Sequence, residues 1–245
     1  MTIVLWLYLT LAGAGAAAGS GVPAAEPAGE AVLADGLPSA AELQALPLLA
    51  EGPGGLRLLA VEPSRSGMYP RLELHAGGIS RAFEWSTADH PAYRPTLYRG
   101  NYDGDELPEI AVVLTQGYGS GVSVQELHVV NEEDLTELAV EHPVDAAASR
   151  VESEVTPRQD GTVHVSARTD GSLVRRTYSA GDAGSWLGEV HFGSIVKYRV
   201  DENRITALLP GQVSPAEFAL IAEAEYGRDL RVQRILLRED TTASN

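Results

Sequence analysis

Residues Ile110–Val130 read IAVVLTQGYGSGVSVQELHVV. The first five are a continuous apolar run, β-branched at three of them, which is the pattern of a short strand buried on both faces rather than of an amphipathic helix. Gly117-Tyr118-Gly119-Ser120-Gly121 then breaks the run. A glycine-rich loop after a strand cradles a phosphate only when a helix follows it, because the helix N-terminus supplies the free N–H groups. Here Val122, Val124, Leu127 and Val129 alternate in part, as in a second strand. The glycines are therefore read as a tight strand-to-strand turn, and the stretch as an antiparallel pair.

Working outward, the same signals recur. Leu56–Val61 reads as a strand, and Arg71–His75 and Ile79–Trp85 flank the hairpin signal Gly77-Gly78. Val163–Arg168 and Leu173–Tyr178 are joined through Asp170-Gly171, with another Asp-Gly at 160–161. Ile195–Val200 and Ile205–Leu209 flank a turn at Asp201–Arg204, and Leu230–Leu237 closes the series. Val144–Val151, after Pro143, is the best helix candidate. Ser214-Pro215-Ala216-Glu217 has a helix-start pattern, yet Phe218–Tyr226 also suits a strand pairing with Leu230–Leu237. One helical turn followed by a hairpin is expected there. The fold class that follows is mainly β: antiparallel sheets, sandwich-like or in part blade-like, with one or two short helices. No motif recurs at the period a full propeller requires.

Directly ahead of Ile110 lies Asn101-Tyr102-Asp103-Gly104-Asp105-Glu106-Leu107-Pro108-Glu109. Oxygen-bearing side chains occupy the first, third, fifth and ninth places: Asn101, Asp103, Asp105 and Glu109. Alternate residues of a tight loop can fold inward around one ion, and a hard cation such as calcium takes six to eight oxygens. Carboxylates held this close repel one another without a cation. The loop is not an EF-hand, which needs Gly at its sixth place and Glu at its twelfth; Glu106 and Val112 stand there. Asp160-Gly161 and Asp170-Gly171 lack surrounding carboxylates and read as ordinary hairpin turns.

The loop resembles the short D-x-D-G-D-G-x-x-D calcium loop of FG-GAP and VCBS-type repeat proteins. With the strand after it, the glycine run at 117–121, Glu126-Leu127-His128-Val129, Gln212-Val213-Ser214-Pro215-Ala216-Glu217-Phe218, and a Trp/Tyr-Pro segment from Trp85 to Tyr98, the pattern is similar to a group of uncharacterised exported bacterial proteins with a single such loop. The likeness spans residues 56 to 238. It implies a structural calcium site with Asn101, Asp103, Asp105, Leu107 (through its backbone carbonyl) and Glu109 as ligand positions. The sequence departs from the motif at three places: Asn101 is not Asp, Glu106 replaces a glycine, and Glu109 is longer than Asp.

Composition bounds the function. The chain has 245 residues, 18 Lys+Arg against 34 Asp+Glu, a net charge of −16, and no cysteine. Its single lysine is Lys197, and it has no basic run, so a nucleic-acid partner is excluded on electrostatic grounds. Lacking cysteine, it has no disulfide framework, thiolate nucleophile or thiolate metal site. Residues 1–25 carry no charged side chain, and Ile3–Leu11 is strongly apolar. That length suits a signal peptide and is short for a membrane span, although no Lys or Arg precedes the apolar run. Export to the medium or the cell envelope is expected, with no integral membrane segment unless 1–25 stays uncleaved. Residues 26–38 read as an Ala/Gly/Pro-rich linker, 39–50 as a short helical piece opened by Ser39-Ala40-Ala41-Glu42 and stopped by Pro47, 54–240 as the β-rich domain, and 241–245 as a tail.

Other signals point to chemistry weakly. The six histidines form no H-x-x-x-H spacing. Asp182-Ala183-Gly184-Ser185-Trp186 is one residue short of the Asp-box turn and reads as a loop anchored by its Trp. Trp85, Tyr93, Tyr98 and Tyr118 are candidates for an aromatic sugar platform, against core packing for most of them. No acid is marked by its surroundings as a catalyst. The expected function is an exported, non-enzymatic β-rich module with a structural calcium loop and an interaction or sensing role toward an unknown ligand at the envelope. The alternative is a secreted hydrolase of wall or extracellular polysaccharide, which calls for a cleft holding two carboxylates.

Overall fold

The computed structural model describes residues 47–240. The signal-peptide, linker and tail expectations fall outside the described residues, as does most of the short helical piece. Where 39–50 does enter them, the expectation fails: Leu48–Gly52 is a strand, β1, paired antiparallel with β2 (Leu56–Ala60). The helix-start signal at 39–42 lies outside the described residues; past Pro47, Leu49 is buried with Leu56 and Leu58 in one apolar cluster.

Seventeen strands run in chain order, β1 to β17, with one α-helix among the described residues, α1 (Pro143–Arg150), a residue earlier than the sequence placed it. The main sheet has eight strands. Its path is β17 (Val232–Glu239), β16 (Phe218–Tyr226), β15 (Arg204–Gln212), β14 (Ile195–Asp201), β9 (Val122–Asn131), β8 (Glu109–Gly119) and β7 (Thr96–Gly100), with β10 (Glu137–Leu138) also paired to β9. Every pairing is antiparallel except β14 with β9, which is parallel over Ile195↔Ser123 and Val196↔Val124. That short parallel bridge joins two antiparallel blocks, β7–β9 and β14–β17, into one sheet.

Two smaller sheets cover these blocks. A four-stranded sheet, β1-β2-β4-β5, adds β4 (Leu72–Ala76) and β5 (Ile79–Phe83). It turns Leu56, Leu58, Leu72 and Leu74 onto the face of β8 that carries Ile110, Val112 and Leu114. Period-two alternation puts Ala111 and Val113 on the other face of β8, where they meet Val129, Val200, Ile205 and Leu230. The run Ile110–Leu114 is therefore buried on both sides, as its composition required. A three-stranded sheet of β11 (Glu152–Pro157), β12 (Thr162–Thr169) and β13 (Ser172–Ser179) packs with α1 on the β14–β17 block around Val163, Val165, Leu209 and Leu220. The remaining strands, β3 (Met68–Tyr69) and β6 (Thr87–Ala88), pair with each other. The result is sandwich-like, and the sheets close into neither a barrel nor a propeller.

The hairpins follow the turn chemistry. Gly77 and Gly78 take φ of 58° and 90° between β4 and β5, the left-handed pair of a tight two-residue loop. Near the C-terminus the hairpin is formed but the helical turn is not. The Ser214 hydroxyl accepts hydrogen bonds from the N–H groups of Ala216 and Glu217, as a cap would. The chain then enters β16 directly, because alternate residues Leu220, Ala222 and Ala224 are needed in the core.

Candidate metal centre

The acidic loop spans the end of β7 and the start of β8, antiparallel partners whose last pair is Gly100↔Glu109. Pairing of those two residues closes the loop at its base. Gly100 is required by close approach: a Cβ there would lie 1.8 Å from the carbonyl oxygen of Glu202 and 2.9 Å from the Tyr102 ring. Glu202 sits in the β14–β15 turn, and its carbonyl accepts from Asn101 N–H at 3.2 Å, while Asn203 Oδ1 accepts from the same N–H. Gly100→Ala should therefore lower stability by about 1–3 kcal/mol through overpacking and turn displacement, read as a reduced urea midpoint with an unchanged denaturant slope.

Within the loop each side chain first organises backbone. Asp103 Oδ1 accepts from Asp105 N–H at 3.0 Å, and Asp105 Oδ1 accepts from Leu107 N–H at 2.6 Å. One oxygen of each carboxylate is thereby engaged, and the other takes no hydrogen bond among the described residues. Asn101 Oδ1 accepts from Gly104 N–H at 2.9 Å, and its Nδ2 donates to the Asp105 carbonyl. Gly104 takes φ of 88°, whereas Glu106 is not among the left-handed residues. The replacement of glycine by Glu106 thus costs no backbone strain.

Glu109 is the unusual member. It is 0% exposed, in a strand whose neighbours are apolar. Oε2 accepts from the N–H groups of Tyr102 at 2.5 Å and Asp103 at 3.2 Å. Oε1 is buried and has no hydrogen-bond partner. A buried, half-satisfied carboxylate is costly unless something compensates it. Burial pushes its pKa up; the two N–H bonds oppose this, and the Asp103 and Asp105 charges add to it. Oxygens of Asp103, Asp105 and Glu109 all lie within 4.8 Å of one another. The structure therefore gathers three of the five expected ligand residues into a group able to hold a metal ion. It places Asn101 in the same loop through its bonds to Gly104 and Asp105. Leu107 stands in the loop with its side chain exposed, the carbonyl being the relevant atom.

Tyr102, between these residues, is buried with its hydroxyl unpartnered, and burial followed by the Glu109 charge pushes that phenol up. Its ring locks the loop onto the core beside Val200 and Leu230. A recess of about 730 Å³ lies next to it, lined by Tyr98, Arg99, Asp201, Glu202 and Arg204 among others. A second, of about 390 Å³, adjoins Asp105 and Leu107 on the side of Glu132, Glu133 and Asp134.

The weaker sequence signals resolve into structure. His128 is pinned in β9: Nδ1 lies 2.7 Å from Glu137, Nε2 lies 3.6 Å from Glu126, and the ring stacks on Trp85. His128 in turn holds the Glu126 carboxyl below its usual range. Among the described residues no histidine joins a group of three metal-ligating side chains. Trp85 is buried against Phe83 and so leaves the aromatic platform, whereas Tyr93 and Tyr118 stack on each other at 4.3 Å. Trp186 Nε1 donates to the Ala180 carbonyl at 3.1 Å, the anchoring role expected of it. Sequence reasoning missed Arg228, whose Nη1 donates to Asn101 Oδ1 at 3.0 Å across 127 residues. No local signal links the two.

No protein-family model, curated protein or solved structure matches the chain.

Proposed function

We propose that this chain is an exported, non-enzymatic β-rich module whose 101–109 loop holds one structural calcium ion, and that the module serves interaction or sensing at the cell envelope. The observation that carries the metal reading is Glu109: a wholly buried carboxylate with an unpartnered oxygen, beside two further carboxylates. Asn101, Asp103, Asp105, the Leu107 carbonyl and Glu109 would hold the ion. The donor set is all oxygen, which suits a hard cation and not zinc or copper. Calcium is favoured over magnesium because a loop offering donors of mixed length suits its flexible coordination, whereas magnesium demands near-ideal octahedral geometry.

The ion would act on stability. It would balance the charge of the loop and fix the junction of β7 and β8, whose strand Ile110–Leu114 joins two apolar clusters. Export is supported by the uncharged, apolar 1–25 segment and by the resemblance to exported single-loop proteins. Among the described residues no helix is long and apolar enough to cross a membrane. An acidic surface at −16 favours cationic ligands over polyanions.

The test is thermal unfolding of the full chain in chelator and then in millimolar calcium, with magnesium as control. A calcium-selective rise in midpoint is expected, and Asp103→Ala combined with Asp105→Ala should abolish it. An unchanged calcium response in that double variant would overturn the loop assignment.

A further inference from the structure

Arg228 lies in the turn between β16 and β17, far from the loop in sequence and beside it in space. We infer that Arg228 is a built-in counter-cation that competes with the metal for Asn101, so that calcium binding releases Arg228 and loosens its turn from the loop. This rests on the reading of the loop as a calcium site.

Three observations carry it. First, Asn101 Oδ1 already accepts two hydrogen bonds, from Gly104 N–H at 2.9 Å and from Arg228 Nη1 at 3.0 Å. A carbonyl oxygen has two lone pairs, so it can ligate a cation only by giving up a donor. The Gly104 N–H belongs to the turn of the loop itself. Arg228 is exposed and held by a long flexible side chain, so it is the donor that leaves.

Second, the seat of Arg228 is built from glycine. A Cβ on Gly104 would lie 2.2 Å from Arg228 Cδ and 2.9 Å from its Nη1. The guanidinium stem thus lies directly over the loop, against the backbone where a side chain would otherwise stand.

Third, the charge is unmatched elsewhere. Among the described residues Arg228 has no carboxylate at ion-pair distance, and its one hydrogen bond goes to Asn101. Its neighbour Asp229 accepts from Arg231 N–H and Gln233 instead. Meanwhile Glu109 brings a buried, half-satisfied carboxylate to the loop beside Asp103 and Asp105. A guanidinium placed over such a loop offsets part of their mutual repulsion while no ion is bound. Once a divalent cation shares Asn101 Oδ1, the two positive centres repel across one oxygen.

Calorimetric calcium titration of the full chain, wild type against Arg228→Ala and Arg228→Lys, tests this. Arg228→Ala should bind calcium about tenfold more tightly, a coupling of ordinary size, with a lower metal-free midpoint and a larger calcium-induced rise. Arg228→Lys keeps the charge without the planar fork and should fall between. In the wild type, amide hydrogen exchange at residues 227–231 should quicken when calcium is added. Equal or weaker calcium binding by Arg228→Ala, with the wild type binding, overturns the Arg228 role alone. Absence of calcium binding in all three proteins overturns it together with the loop reading.

Discussion

Ile110→Ala is expected to destabilise the protein by about 2–5 kcal/mol, the range for removing a large aliphatic side chain from a rigid core. Ile110 is 0% exposed and faces Leu56, Leu58, Leu72 and Leu74 across the four-stranded sheet. On its own strand it lies between Glu109 and Ala111, and it pairs with Arg99 on β7 and Val130 on β9. The surrounding side chains are held by strands on two sheets, so the site cannot collapse to fill the void. Ile110→Val should cost only about 0.5–1.5 kcal/mol, and Ile79→Ala, at an exposed position of the Gly77-Gly78 hairpin, under about 0.5 kcal/mol. Urea unfolding of the three variants would check the order. An Ile110→Ala cost as small as that of Ile79→Ala would show that β8 is not the centre of the core.

Why Ile110 could be picked out from sequence, and Arg228 could not, is a matter of range. A continuous apolar run bounded by Pro108 and by glycines is local information, and so is the alternation that follows it. Two-residue glycine or Asp-Gly turns likewise fix hairpins between neighbouring segments. These rules found β2, β4, β5, β8, β9 and β12–β17, with Leu230 and Arg231 left in the final turn instead of the last strand, and with Gly117-Tyr118-Gly119, read as part of a turn, continuing β8 in pairing with Val122–Val124. They could not find the parallel bridge of β9 to β14, because its two strands are separated by a three-stranded sheet and a helix. They also missed β11, ESEVTP, which has one fully buried side chain and no apolar alternation to announce it. At β1 the expected helical piece extends past Pro47, which is its own stop signal, and Leu48–Gly52 beyond that proline pairs with Leu56–Leu59 as a strand.

The candidate site divides the same way. Asn101, Asp103, Asp105 and Glu109 stand out by spacing alone, since alternate oxygens in a tight loop are a local pattern. What spacing cannot give is burial. Glu109 differs from Asp105 by being the first residue of a strand that is sealed on both faces. Gly100 and Arg228, which shape the loop from beneath and above, act through Glu202 and Asn101, contacts that exist only in the folded chain.

Burial makes Glu109→Gln the most revealing substitution in the loop. Gln keeps the shape and can still accept the N–H bonds of Tyr102 and Asp103, while removing the buried charge. The metal-free variant should be as stable as the wild type at neutral pH, or more so. The stabilisation by calcium should vanish, a loss of about 2.7 kcal/mol at free calcium one hundred times the dissociation constant. The pH dependence has opposite signs in the two states. Because burial, with the Asp103 and Asp105 charges, raises the folded-state pKa of Glu109, the metal-free folded protein holds its proton more tightly than the unfolded chain does. The corresponding stability is fully present below the ordinary glutamate value of about 4.3 and is lost as pH rises through the raised value. Calcium needs the ionised carboxylate, so its stabilisation is greatest above that raised value and fades as pH falls through it. The wild-type minus Glu109→Gln difference in midpoint, measured from pH 4 to pH 8, should therefore fall with pH in chelator and rise with pH in calcium. A difference that ran the same way in both would show that Glu109 does not face the ion.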